Sequence, residues 1–129
     1  MKYQNKNIVG IWIDHQRAYI ISTPDRKTSE SFDVIEKIEI PHQQNHGGDE
    51  KTRQNKEHEI LHHLYIDVAS KVKTADAIFI IGPGTAQEEL RNFLNKDQHF
   101  TKKEIEIDSA DSLTMNEMIA KVRSHFNKS

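Results

Sequence analysis

Apolar residues fall into short runs of two kinds, and the change between them divides the chain into strands and helices. Ile8 to Ile13, IVGIWI, is almost continuously apolar, and a second run, Ala18 to Ile21, follows Asp14-His15-Gln16 at hairpin distance. These runs predict two antiparallel strands. After the turn TPDRK, punctuated by Pro24-Asp25, the stretch SFDVIEKIEI places Phe32, Val34, Ile38 and Ile40 in rough alternation with polar residues, faltering around Ile35. A third, half-exposed strand is predicted there. Pro41 to Lys51, PHQQNHGGDEK, contains glycine but no apolar anchor, which predicts a long mobile loop that orders only on a partner.

From about Thr52 the period becomes helical: Leu61, Leu64, Tyr65, Val68 and Val72 share one stripe of a helix reaching roughly Lys73. Ala77 to Ile81, AIFII, has the uninterrupted apolar character of a buried parallel strand. Gly82-Pro83-Gly84 breaks it, and TAQEELRNFLNK starts a helix with Thr85 as N-cap and Glu88 at the capping-box position. KKEIEID supplies a last strand, and Asp111 or Ser112 is expected to cap a final helix carrying Leu113, Met115, Ile119, Val122 and Phe126. The order β-β-β-α-β-α-β-α predicts the α/β class, specifically a ribonuclease H-like mixed five-stranded sheet of the translational-machinery-component type with helices packed on it. Residues 1–129 are expected to form a single domain, since no repeat, heptad pattern or low-complexity linker divides them.

A net charge of -2 and a pI near 6.4 give no global attraction to phosphate backbones, so any RNA contact would have to be local. No apolar stretch reaches membrane length, the first residues hold no signal-peptide core, and cysteine is absent. The expectation is a soluble cytoplasmic protein with neither disulfides nor a membrane partner.

Three stretches invite a chemical reading. EHEILHH, Glu57 to His63, contains H-E-x-x-H, which on a helix puts His58 and His62 one turn apart as candidate metal ligands, with Glu59 as general base. Eight histidines produce on the order of 0.5 such i,i+4 pairs by chance, and no third ligand follows at zincin spacing. The pair therefore reads first as the polar flank of the Leu61-Leu64-Val68 stripe, with adventitious or regulatory metal binding, aided by His42 or His46, as a further alternative. Asp14 on the first hairpin could be a nuclease carboxylate if Asp76 and Asp108 converged on it; otherwise it caps the hairpin turn with His15 and Gln16. Gly82-Pro83-Gly84 could present backbone N–H groups to a phosphate, but no P-loop sequence follows and Glu88-Glu89 would repel the anion, so a structural turn is the simpler reading. Trp12 and Tyr19 alternate with aliphatic residues and are expected in the core or on a sheet face rather than as a base-stacking platform.

The paired strands around Ile13-Asp14-His15-Gln16-Arg17-Ala18, the His46-Gly47-Gly48 loop feeding a charged helix, and AIFIIGPGTAQEEL together resemble the central domain of archaeal and eukaryotic class I peptide-release factors and of Pelota. The likeness runs from about Ile8 to Phe126 and is greatest to small stand-alone bacterial relatives of that domain. It implies a ribosome, tRNA or another translation component as partner, with the His42 to Lys56 stretch placed against RNA. Lys51, Arg53 and Lys56 would contact phosphates, while Gly47 and Gly48 would allow close backbone approach. In release factors the corresponding loop carries Gly-Gly-Gln, whose glutamine positions the hydrolytic water. Here Gly47-Gly48 is followed by Asp49, and Gln43, Gln44 and Gln54 are out of register, so hydrolysis of peptidyl-tRNA is not implied. Neither a catalytic residue nor a cofactor is assigned. Two other readings stand beside this one: a metal-dependent hydrolase using His58, Glu59 and His62, and a protein-interaction module unconnected with translation. Self-association is compatible with all three.

Overall fold

The structure, a computed structural model, describes Tyr3 and residues 5–26, 31–40 and 50–127, with the side chains of 50–57 left aside. Five strands, β1 (Ile8–Ile13), β2 (Arg17–Ser22), β3 (Asp33–Glu39), β4 (Ala77–Gly82) and β5 (Glu104–Ser109), form one sheet in the order β3-β2-β1-β4-β5. β1 pairs antiparallel with β2 and parallel with β4, which explains the uniformly apolar sequences of β1 and β4: both are central strands covered on two faces. Helices α1 (Glu50–Val72), α2 (Ala86–Asn95) and α3 (Met115–Asn127) complete the predicted order, and a short 3₁₀ turn, Gln98–Phe100, follows α2.

Strand pleating divides the core in two. Val9, Ile11 and Ile13 of β1, with Ile78 and Ile80 of β4, point toward α1 and α2, where Leu64, Val68, Val72, Leu90 and Leu94 meet them. Ile8 and Trp12, with Phe79 and Ile81, point the other way, toward Val122 and Phe126 of α3. Each of these fully buried aliphatic and aromatic side chains contributes roughly 1.5–3 kcal/mol through removal from water. Gly10 lies beneath α3, where a Cβ atom would sit 2.5 Å from both methyl groups of Val122. The missing side chain at Gly10 therefore sets how closely α3 approaches the sheet.

The faltering alternation in the third strand has a structural counterpart. Ile20 pairs with Glu36 but Ile21 pairs with Val34, so Ile35 is the extra residue of a bulge and is 41% exposed. Trp12 and Tyr19 are cross-strand partners with ring centroids 5.6 Å apart; Trp12 is buried and Tyr19 half-buried against the same cluster, as expected of sheet-face residues.

Helix starts differ from their sequence assignments. α1 begins at Glu50, two residues before the change of period. Thr85 is the N-cap of α2, but its hydroxyl caps no backbone N–H and no capping box forms with Glu88; the hydroxyl lies 3.4 Å from Glu89 Oε2 instead. α3 is capped by neither Asp111 nor Ser112. Thr114 Oγ1 accepts from the Glu117 backbone N–H at 3.1 Å and the Glu117 carboxylate accepts from the Thr114 N–H at 2.9 Å, a complete capping box. With the start fixed there, Met118 rather than Met115 takes the buried position, and Met115 is 40% exposed.

Candidate functional site

α1 exposes His58, Glu59 and His62. The His62 ring meets Phe93 of α2 edge to face, with centroids 5.3 Å apart, so its nearest structural role is aromatic packing. Among the described residues no three His, Cys, Asp or Glu side chains gather where they could hold a metal ion. The two-histidine turn thus acquires no third ligand from them.

The three candidate carboxylates also stay apart. Asp14 Oδ1 accepts from the backbone N–H groups of Gln16 and Arg17, both at 2.8 Å, closing the β1–β2 hairpin. Asp76 accepts from the Asn7 N–H at 2.8 Å, at the opposite end of the parallel strands. Asp108 forms an ion pair with Lys121 at 3.1 Å, and that hydrogen bond holds its carboxyl below the usual range. Each carboxylate has a local structural task.

Gly82-Pro83-Gly84 is shaped by close packing. A Cβ on Gly82 would fall 2.1 Å from the Ile13 carbonyl oxygen, and Gly84 takes φ of 60°. The buried Gln87 side chain folds back to donate to the Gly84 carbonyl at 3.1 Å.

Lys51, Arg53 and Lys56 fall in the first two turns of α1. Their side chains lie outside the described part of the structure, as do His42, His46, Gly47 and Gly48.

A feature that sequence reasoning did not find lies between α1 and α2. His62 and Tyr65 from α1, Glu89 and Phe93 from α2, and Lys96 and Asp97 just beyond it line an open groove of about 830 Å³. Phe93 forms its floor, meeting His62 and also Tyr65, whose ring centroid is 5.8 Å away. Glu89 anchors one end: its Oε2 receives His15 Nε2 at 2.5 Å, Thr85 Oγ1 at 3.4 Å and Tyr65 OH at 3.5 Å. Burial, then the neighbouring Glu89 charge, push the Tyr65 phenol above its ordinary pKa, so it remains a donor. Asp97 anchors the other end, its Oδ1 accepting from the His99 backbone N–H at 2.9 Å and lying 2.8 Å from His99 Nδ1. Those contacts hold its carboxyl below the usual range. The spacing Glu89, Phe93, Lys96 is visible in the sequence as one helical stripe, but its facing partners, 24 or more residues earlier, are not.

A five-stranded mixed sheet with two helices on one face and a third on the other defines this chain, in fold, as a release-factor/Pelota-like domain. Pelota from Archaeoglobus fulgidus is similar over 96% of this chain and 33% of its own, with a TM-score of 0.61 and 15% identity. An archaeal translation termination factor, aRF1, is similar over 92% of this chain and 34% of its own, with a TM-score of 0.55 and 11% identity. The chain therefore spans about one third of the length of either protein, and at these identities the likeness is one of fold alone. No family model and no curated protein matches the sequence. Among the described residues no helix is long and apolar enough to cross a membrane.

Proposed function

We propose that this chain is a translation-linked binding domain that places the His42 to Lys56 stretch against the ribosome, tRNA or another translation component and does not hydrolyse peptidyl-tRNA. The observation that carries this reading is the fold shared with Pelota over 96% of the chain. Sequence supplies the rest: Gly47-Gly48 permits close approach to RNA, Lys51, Arg53 and Lys56 supply charge, and Asp49 stands where a hydrolytic loop has glutamine. A carboxylate among RNA phosphates adds repulsion and lacks the amide's donor.

Cosedimentation with ribosomes tests the reading. Three phosphate contacts make affinity fall roughly 40- to 130-fold between 50 and 300 mM salt, and the Lys51/Arg53/Lys56 triple alanine variant should abolish cosedimentation at the lower salt. Absence of ribosome or subunit binding at low salt, or binding unaffected by the triple variant, overturns it. Wild type and Asp49→Gln are both expected to leave the peptide on loaded ribosomes; robust release by the wild type would refute the non-hydrolytic assignment.

A further inference from the structure

The α1–α2 groove has a construction that its neighbours do not require. Both of its carboxylates are fixed through a single oxygen. All three contacts to Glu89 go to Oε2 and both contacts from His99 to Asp97 go to Oδ1, so Oε1 and Oδ2 make no hydrogen bond among the described residues. Glu89 lies in α2 and Asp97 two residues beyond its end in extended backbone, and half-buried Phe93, four residues from each in sequence, lines the same groove. Lys96 is the only lysine or arginine among the described lining residues, while Lys73 acts on Asp97 from outside that lining and His15 and His99 each contact one of the two carboxylates.

That combination selects a planar cation. A guanidinium carries five N–H donors in a rigid fork, stacks on aromatic faces and is desolvated more readily than an ammonium. A phosphodiester would meet two carboxylates against one lysine, and an aliphatic side chain would leave both carboxylates unused. We propose that this groove binds an arginine side chain from a basic segment of a partner protein, with the guanidinium against Phe93 and its N–H groups donating to Glu89 Oε1, Asp97 Oδ2 or both. The preorganised carboxylates lower the ordering cost of such a contact. The described residues that line this groove all lie after residue 61, so the inference does not rest on ribosome association.

Backbone amide NMR of the full chain at low salt, titrated with acetyl-Gly-Arg-Gly-amide, with the lysine counterpart and with guanosine 5′-monophosphate, tests the inference. Shifts should concentrate at residues 62–66 and 89–98 with the arginine peptide, and the lysine peptide should bind at least ~3-fold more weakly. Glu89→Gln should weaken arginine binding by about 5-fold or more, and the exposed Asp97→Asn change should do so without touching the Glu89 contacts. Lys96→Ala gives the decisive sign: removing a like charge should tighten arginine binding, whereas a nucleotide site would be weakened. No groove shifts at ~10 mM arginine peptide, equal affinity for arginine and lysine, or nucleotide binding that Lys96→Ala weakens would each overturn the assignment.

Discussion

Replacing Gly10 by alanine tests how α3 is held against the sheet. The new Cβ would stand 2.5 Å from Val122 Cγ1, 2.5 Å from Cγ2 and 3.0 Å from Cβ, whereas carbon atoms rest about 3.5–4.0 Å apart. Relief requires α3 to lift by about 1 Å or Val122 to leave its rotamer, and Val122 is fully buried among Ile8, Phe79 and Phe126. Overpacking of this kind costs about 1–3 kcal/mol. Val122→Ala alone removes two methyl groups from a closed site and should cost about 2 kcal/mol. In the double variant the Gly10→Ala methyl occupies space vacated by Val122, and only the 3.0 Å approach to the residue 122 Cβ remains. The combined loss should therefore fall short of the sum by about 1–2 kcal/mol. Urea unfolding followed by circular dichroism supplies all four corners of the cycle, with an unchanged m-value as the check that the unfolded states match. For a domain of this size 1 kcal/mol corresponds to about 4 °C in Tm. A Gly10→Ala protein as stable as wild type, or a cycle additive within about 0.3 kcal/mol, would refute the packing argument.

The capping box at α3 is local, so Thr114→Ala should lower stability by about 1 kcal/mol while Asp111→Ala and Ser112→Ala change the urea midpoint little; the reverse order would restore the earlier cap assignment. Asp108 has a depressed pKa, so the contribution of its Lys121 pair is fully present above the ordinary carboxylate value and disappears as pH falls through the lower folded value. The stability difference between wild type and Asp108→Asn, a few tenths of a kcal/mol for so exposed a pair, should stay constant above about pH 5 and close below about pH 4. A difference that widens on acidification would show the sign to be wrong. EDTA treatment of protein purified without a histidine tag should leave Tm unchanged within about 1 °C; a drop of 5 °C or more, abolished in His58→Ala/His62→Ala, would revive the metal reading.

Local pattern determined a great deal of this chain. The unbroken apolar runs of β1 and β4 mark central strands because both their faces must be covered, and the hesitation at Ile35 marks a bulge because a period of two cannot absorb an extra residue without exposing it. The stripe from Leu61 to Val72 likewise fixes the buried side of α1, since periodicity of 3.6 is written in consecutive residues. The end of a helix is decided less locally. Asp111, Ser112 and Thr114 all have capping side chains, and packing chooses Thr114 by putting Met118, Val122 and Phe126 on the sheet and leaving Met115 outside. Of the α1–α2 groove the sequence showed only the Glu89, Phe93, Lys96 spacing and none of the residues that face it. His15 reaches Glu89 across 74 residues and Tyr65 reaches it across 24, and no periodicity within one element specifies which side chains of another will face it. Glu88 and Glu89 look equivalent as helix-start acids, and both stay exposed; only docking of α2 beside α1 and the β1–β2 turn brings Glu89 to His15, Thr85 and Tyr65. A helix side is set by residues three or four apart, but a site between helices is set by the sheet that aligns them.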